Sequence, residues 1–457
     1  MIARFYFKSF FVYFTIVFLM SFSLFAQEDE SKKKNVSDIV SAAAKENKIV
    51  FKLTTLDEFK QIVGQPLKET KEAGGGMETC ELVYSDVRAK FGKMRDSSTP
   101  FTILWVTAPN RMFDIGQNRQ VVLRDTNDLN KVESFWGFSN LSLVNLDLRS
   151  YKKLLDEMPF DSLTKWPEPN KLPAGFNPAD LLEKGKNPGL GIKKLHEQGI
   201  DGRGIGIAII DQPLLKNHIE YADRIMKYEA IEVQGVDIQM HGPPVCSIAV
   251  GKTCGVAPKA SLYYYAVPPW KWLDNKPWAD TLDKIIEFNK GLKESEKIRV
   301  VSISLGAFSQ RPNFNIWQQA VQRANQNGIL VVTCDSTFLE IDRLKRVENR
   351  DPDAPGSYKP LFSGQGADIL VLSGNRTIAS HKGPDVYHYE RKGGLSWTVP
   401  YLAGLAALAY QVNPDIKPER IIQLWKETAF KTRSGPIVNP VRFIDEVGRI
   451  KNIKTNK

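Results

Sequence analysis

Between residues 205 and 372, apolar runs of strand length alternate with stretches whose apolar residues recur at helical spacing. The strand-length runs are 205–210, 261–267, 298–305, 328–332 and 367–372. The helical stretches are 243–250, 278–288 and 316–327, with a shorter one at 190–198 ended by Gly199. A run that is apolar at nearly every position, rather than at every second one, is buried on both sides and needs helices over each face. The expected fold class is therefore α/β, a parallel sheet with helices on both faces. In such sheets, sites gather at the carboxyl ends of the strands. Asp211 directly follows the first run.

A chain of 457 residues can bury a sizeable core, and the expectation is two domains. Five prolines (Pro167, Pro169, Pro173, Pro178 and Pro188) crowd residues 166–188, which read as a semi-rigid linker. Residues 189–457 then form the α/β domain, and residues 27–165 a smaller α+β domain or pro-region. In that first half, 49–53, 81–84, 101–106 and 121–123 read as strands and 56–63 as a helix stopped by Gly64 and Pro66. Gly74-Gly75-Gly76 marks a turn, and the polar residues 27–48 read as a flexible start. Leu141, Leu143, Leu146 and Leu148 form one leucine-rich turn, which cannot stack on itself and reads as an isolated strand.

Residues 1–26 have the order of an export signal. Arg4 and Lys8 precede a charge-free apolar run to Ala26, and Gln27-Glu28-Asp29-Glu30 ends it. The expected location is exported, either secreted or in the periplasm or cell envelope. Membrane attachment is expected only if this segment stays uncleaved, since its length also suits an anchor. The net charge of +10 is scattered in short Lys and Arg clusters without interleaved aromatics, so it reads as a solvated face and excludes nucleic acid as a partner. Four cysteines are too few for a disulfide scaffold, and Cys80 has no metal-ligand neighbours in sequence. Cys246 and Cys254 fit either a bridge in an oxidising compartment or two buried thiols.

Near the end of the chain, Ser396 lies between Gly393-Gly394 and an apolar run that begins with Pro400 and continues to Ala409. Glycines allow a sharp turn, and proline suits a helix's first turn, so Ser396 is expected at the mouth of a buried helix. Unpaired N–H groups there favour negative charge, as an acyl-transfer nucleophile requires. The same pattern suits a capping serine of an ordinary helix. A serine hydroxyl needs a base, and a histidine oriented by a buried carboxylate supplies one near neutral pH. Of His218, His241, His381 and His388, His241 stands where a helix begins, whereas His218 and His381 lie among charged residues and read as surface groups.

Five ordered motifs spanning about 189–429 resemble the subtilisin-like serine proteases. Asp211 to His218 resembles the family's aspartate segment, and His241-Gly242 its histidine segment. Gly255 to Leu262 resembles the strand that follows, Ser302 to Gly306 the substrate-lining strand, and Gly394 to Pro400 with Ala403-Gly404 the nucleophile motif. The Asp, His, Ser order is the subtilisin one. The resemblance implies a subtilisin-like fold and an exported serine endopeptidase acting on protein or peptide substrates. Ser396 would attack, His241 move the proton and Asp211 orient His241, with Ser304, Leu305 and Gly306 gripping the substrate backbone as an added strand. It also implies an inhibitory pro-region in the N-terminal half.

Two departures favour an alternative, a weakly active or inactive relative that binds peptides. The family's oxyanion asparagine is missing: a gapless count puts Thr337 in its place, and small gaps bring in Ser336 or Asp335. The neighbours Gln212-Pro213 and Pro243-Pro244 also depart from the family pattern. No cofactor is required by this chemistry. Calcium stabilises many members, but no ligand spacing locates a site.

Overall fold

The computed structural model describes residues 36–455, apart from 47, 50–52, 75–76, 85–86, 95–99, 109–110, 113–119, 133, 135, 307 and 362–365. The export segment 1–26 lies outside the described residues. Among those described, no helix is long and apolar enough to cross a membrane. The chain divides into two compact units, one ending at Phe176 and the next beginning at Asn177. That boundary falls inside the proline-rich stretch.

The first unit holds a five-stranded antiparallel meander, Lys68–Gly74, Met77–Val83, Arg88–Met94, Thr102–Ala108 and Arg111–Met112. The helix Leu56–Val63 forms where the sequence places it. Thr55 starts it with a reciprocal cap: Glu58 N–H donates to Thr55 Oγ1 at 3.2 Å and Thr55 N–H donates to Glu58 Oε2 at 2.7 Å. Phe59 and Val63 turn inward and pack with Cys80, Leu82, Ala89 and Phe91.

Several expectations for this half need correcting. Residues 36–45 are a helix rather than a flexible start, with Val40 and Ala43 buried in the same core. Of the strand expected at 49–53, Ile49 is in a bend and Leu53 in a turn, and residues 50–52 lie outside the described residues. The four leucines 141, 143, 146 and 148 are buried, but only Leu141–Ser142 is extended, paired in parallel with Val121–Val122. Within the linker stretch, Pro178–Gly185 is helical, capped by Asn177, whose Oδ1 accepts from Asp180 N–H at 3.1 Å. Pro178 opens that helix because the first helical position has no use for an N–H.

The second unit carries the expected parallel sheet. Its elements around the site are β1 (Gly206–Asp211), β2 (Ile225–Ala230), α1 (Gly242–Val250), β3 (Ser261–Ala266), α2 (Lys276–Lys290), β4 (Ile298–Ile303), α3 (Phe314–Gln326), β5 (Leu330–Thr333) and α4 (Leu395–Val412). The strand order is β2-β3-β1-β4-β5, every pairing parallel. Alternate strand residues feed two cores: Ile207, Ile209, Val300 and Val332 pack with α1 and α4, and Ala208, Ile210, Val301 and Val331 with α2 and α3. That two-sided burial is why the strands read as unbroken apolar runs.

Residues Ile369–Gly374 do not join this sheet, contrary to the simple alternation. They pair in parallel with Ile341–Arg346 in a second, mixed five-stranded sheet. The half-buried strand β2, sequence IMKYEA, was not anticipated.

Candidate active site

Asp211 is the last residue of β1 and only 5% exposed. The strand's register holds it opposite Ala266, and its backbone carbonyl accepts from Val267 N–H at 2.8 Å. One side-chain oxygen, Oδ1, accepts from Gln212 N–H at 2.7 Å. His241 stands just before α1, whose first residues Gly242-Pro243-Pro244 are buried. Its Nδ1 lies 2.9 Å from both carboxylate oxygens of Asp211, 30 residues earlier in the chain. A carboxylate only accepts, so Nδ1 carries the hydrogen between them; in the neutral imidazole that leaves the lone pair on Nε2.

Ser396 is the second residue of α4 and half-buried, and Gly394 is the residue before the helix. Its N–H, one of the helix's first four, has no acceptor within the helix. The turn into α4 depends on Gly393, which has φ +71° and lies where a Cβ would fall 2.2 Å from Ser373 Oγ. Ser373 Oγ donates to Gly394 O at 2.8 Å, closing the turn. Pro400 is not in the first turn, as the sequence suggested, but is the sixth residue, inside the helix. Farther along, Gly404 lets α4 approach α1: a Cβ there would fall 2.7 Å from Val256 Cβ and 3.1 Å from Ala249 O.

The Ser396 hydroxyl donates to Ser304 O at 3.4 Å, and Ser304 Oγ donates to Ser396 O at 2.8 Å. A direct contact between α4 and the Asp211–His241 pair is made by Trp397, whose indole stacks on the His241 ring at 5.0 Å between centroids. The sequence reading gave Trp397 no role. Its position directly after Ser396 was the available signal.

Ser304, Leu305 and Gly306 run past the end of β4 as a half-exposed segment. Leu305 O accepts from Cys334 N–H at 2.9 Å, joining this segment to the one that leaves β5. There lie the three oxyanion candidates. Asp335 is buried, and its Oδ2 accepts from Phe308 N–H at 2.6 Å. Thr337 Oγ1 donates to Asp335 Oδ1 at 2.6 Å, while Ser336 and Thr337 are themselves exposed. Asp335 thus ties the segment after β4 to the one after β5, and it engages the Thr337 hydroxyl. Burial, together with the negative charges of Asp211 and Asp335, pushes the neighbouring Cys334 thiol up to about 12.

His218 is fully buried, contrary to its surface reading. Its Nε2 donates to Val386 O at 3.0 Å, its Nδ1 accepts from Glu220 N–H at 3.2 Å, and its ring stacks on Tyr221. Both nitrogens are spent on structure. Cys246 and Cys254 are separate buried thiols, each raised by burial. Among the described residues, no three His, Cys, Asp or Glu side chains cluster as metal ligands.

Residues 202–338 match the model of the subtilase family, a stretch that contains Asp211 and His241 and stops before Ser396. Among curated proteins, the chain is 25% identical over 301 residues to the subtilisin-like protease PopC of Myxococcus xanthus, covering 54% of this chain and 60% of that protein. It is 27% identical over 283 residues to the serine protease AprX of Bacillus subtilis, covering 50% and 62%. To subtilisin BL of Lederbergia lenta it is 27% identical over 251 residues, covering 51% and 86%. The chain thus spans about three-fifths of the length of the first two relatives. These matches relate residues 202–338 to the subtilase family, and the parallel sheet with helices on both faces agrees with them.

Proposed function

We propose that this protein is an exported serine endopeptidase in which Asp211, His241 and Ser396 act together on protein or peptide substrates. The match of residues 202–338 to the subtilase family supports a serine-type hydrolase. The observation that carries the finer reading is the His241 Nδ1 contact with Asp211, 2.9 Å to each oxygen, beneath the tryptophan that follows Ser396.

In this reading the Ser396 hydroxyl turns from Ser304 O toward His241 Nε2, which takes its proton as Oγ bonds to the substrate carbonyl carbon. The carbonyl π electrons move to oxygen, and Asp211 stabilises the imidazolium. The Ser396 N–H and the amino end of α4 face the developing oxyanion. Collapse expels the amine, which takes the proton from Nε2, and leaves an acyl-enzyme. Water repeats the sequence and releases the acid. No metal or organic cofactor enters these steps. Ser304 to Gly306 would hold the substrate backbone.

A second reading, a peptide-binding relative with little turnover, is favoured by the engagement of Thr337 with Asp335. A fluorophosphonate probe tests the choice. Labelling that Ser396→Ala abolishes supports the peptidase, and folded wild-type protein that never labels sinks it. Mass spectrometry of the mature amino terminus tests export and the fate of the first unit.

A further inference from the structure

Helix α4 contains a proline at a position that bears directly on its second residue. In an α-helix the N–H of residue 400 would bond to the carbonyl of residue 396. Pro400 has no N–H, and its ring presses on that same carbonyl, so the helix leaves Ser396 O without its regular donor. The Ser304 hydroxyl donates to this carbonyl at 2.8 Å. The two residues are 92 positions apart and come from different elements.

We propose that Ser304 is a positioning residue for Ser396, its hydroxyl supplying the hydrogen bond that Pro400 withholds. The inference rests on the reading of Ser396 as nucleophile. It assigns the Ser304 side chain a task separate from any backbone contact with substrate. Ser304 follows the end of β4, which pairs with β1 through Ser302 and Ile209, so it shares a rigid frame with Asp211. Fixing the Ser396 carbonyl fixes the peptide plane from which its hydroxyl projects. The orientation of the serine relative to His241 is thereby set from the sheet rather than from the helix alone. The Ser396 hydroxyl returns a hydrogen bond to Ser304 O at 3.4 Å, so the serine pair is joined in both directions.

A double-mutant cycle tests this in the full chain, with Ser304→Ala, Pro400→Ala and the double variant. Alanine at 400 restores the N–H to the helix and makes the Ser304 hydroxyl dispensable. Ser304→Ala alone is expected to slow kcat and fluorophosphonate inactivation by about 10- to 100-fold with KM nearly unchanged, as a misplaced nucleophile does. The same change made in the Pro400→Ala background should cost less than about 3-fold, and Ser304→Thr should keep most of the rate. Urea unfolding midpoints should show the same coupling without any need for activity. Equal rate losses in the two backgrounds, or none in either, overturn the positioning role. Additive midpoints overturn the hydrogen-bond substitution itself. Wild-type protein that fails to label while its midpoints remain coupled removes the nucleophile reading, and the positioning role falls with it.

Discussion

The Trp397 indole stacks on the His241 imidazole with centroids 5.0 Å apart and planes 30° from parallel. This places an aromatic wall against the face of the proposed base and ties the ring to the residue after the proposed nucleophile. Trp397 is 6% exposed, so its own position is fixed by packing. Replacing it should loosen His241 without touching any group that transfers a proton. Trp397→Ala is expected to lower kcat by roughly 10- to 100-fold, with Trp397→Phe retaining more activity. Steady-state kinetics on a fluorogenic peptide would read the difference, and equal rates for both variants would remove the positioning argument.

Thr337 takes the place of the family's asparagine by count, but its hydroxyl is given to Asp335. Removing a side-chain donor that serves the oxyanion slows turnover by about 100- to 1,000-fold. Thr337→Ala is therefore expected to change kcat by less than about 10-fold. A larger fall, with the unfolding midpoint unchanged, would show that Thr337 swings toward the substrate.

His218 supplies a pH dependence of stability. Burial lowers its pKa below the usual 6.5, outweighing the acceptor Val386 O and the charges of Glu220 and Asp385. The unfolded chain therefore binds a proton near pH 6.5 that the folded chain refuses. Stability from this group is complete above that pH and declines as pH falls below it, toward the lowered folded value. Urea midpoints between pH 7 and pH 5 should fall less steeply in His218→Gln than in the wild type. His196, lowered by burial in the same direction, leaves a residual slope.

Glu220 is buried and gathers four donors on two oxygens: Thr253 N–H at 2.8 Å, Thr253 Oγ1 at 2.5 Å, Cys254 N–H at 3.3 Å and Tyr387 OH at 2.6 Å. An amide at this position would turn its NH2 toward donors. Glu220→Gln is expected to destabilise the second unit by about 2–4 kcal/mol. Thermal melting checks it, and a change under about 0.5 kcal/mol would mean the cluster rearranges freely.

The parallel strands were legible because burial on both faces leaves a continuous apolar run, and helix Leu56–Val63 because its apolar residues recur at helical spacing up to the stop at Gly64 and Pro66. The half-buried strand β2 carries Lys227 and Glu229, so its sequence lacks that mark. The residues of the candidate site could be named from order and local context, but their environments could not. The burial of His218 comes partly from Tyr387, far along the chain, and sequence neighbours gave the opposite impression. The position of Pro400 in the interior of α4 follows from where that helix begins, which the Gly393 turn decides. An ionised carboxylate such as Asp335 would by itself repel an oxyanion. In the fold, its carboxylate is occupied by Phe308 N–H and the Thr337 hydroxyl.

The spacing of α4 from the sheet it completes has a bearing on synthesis. Strands β1 to β5 end at Thr333, while Ser396 arrives in a helix that begins at Leu395. A ribosome that has made the sheet has therefore made Asp211 and His241 but no nucleophile to pair with them. Under the proposed function, a nascent chain cannot cut itself or its neighbours until the late helix docks. Under that reading, a product truncated before Leu395 carries Asp211 and His241 but no nucleophile.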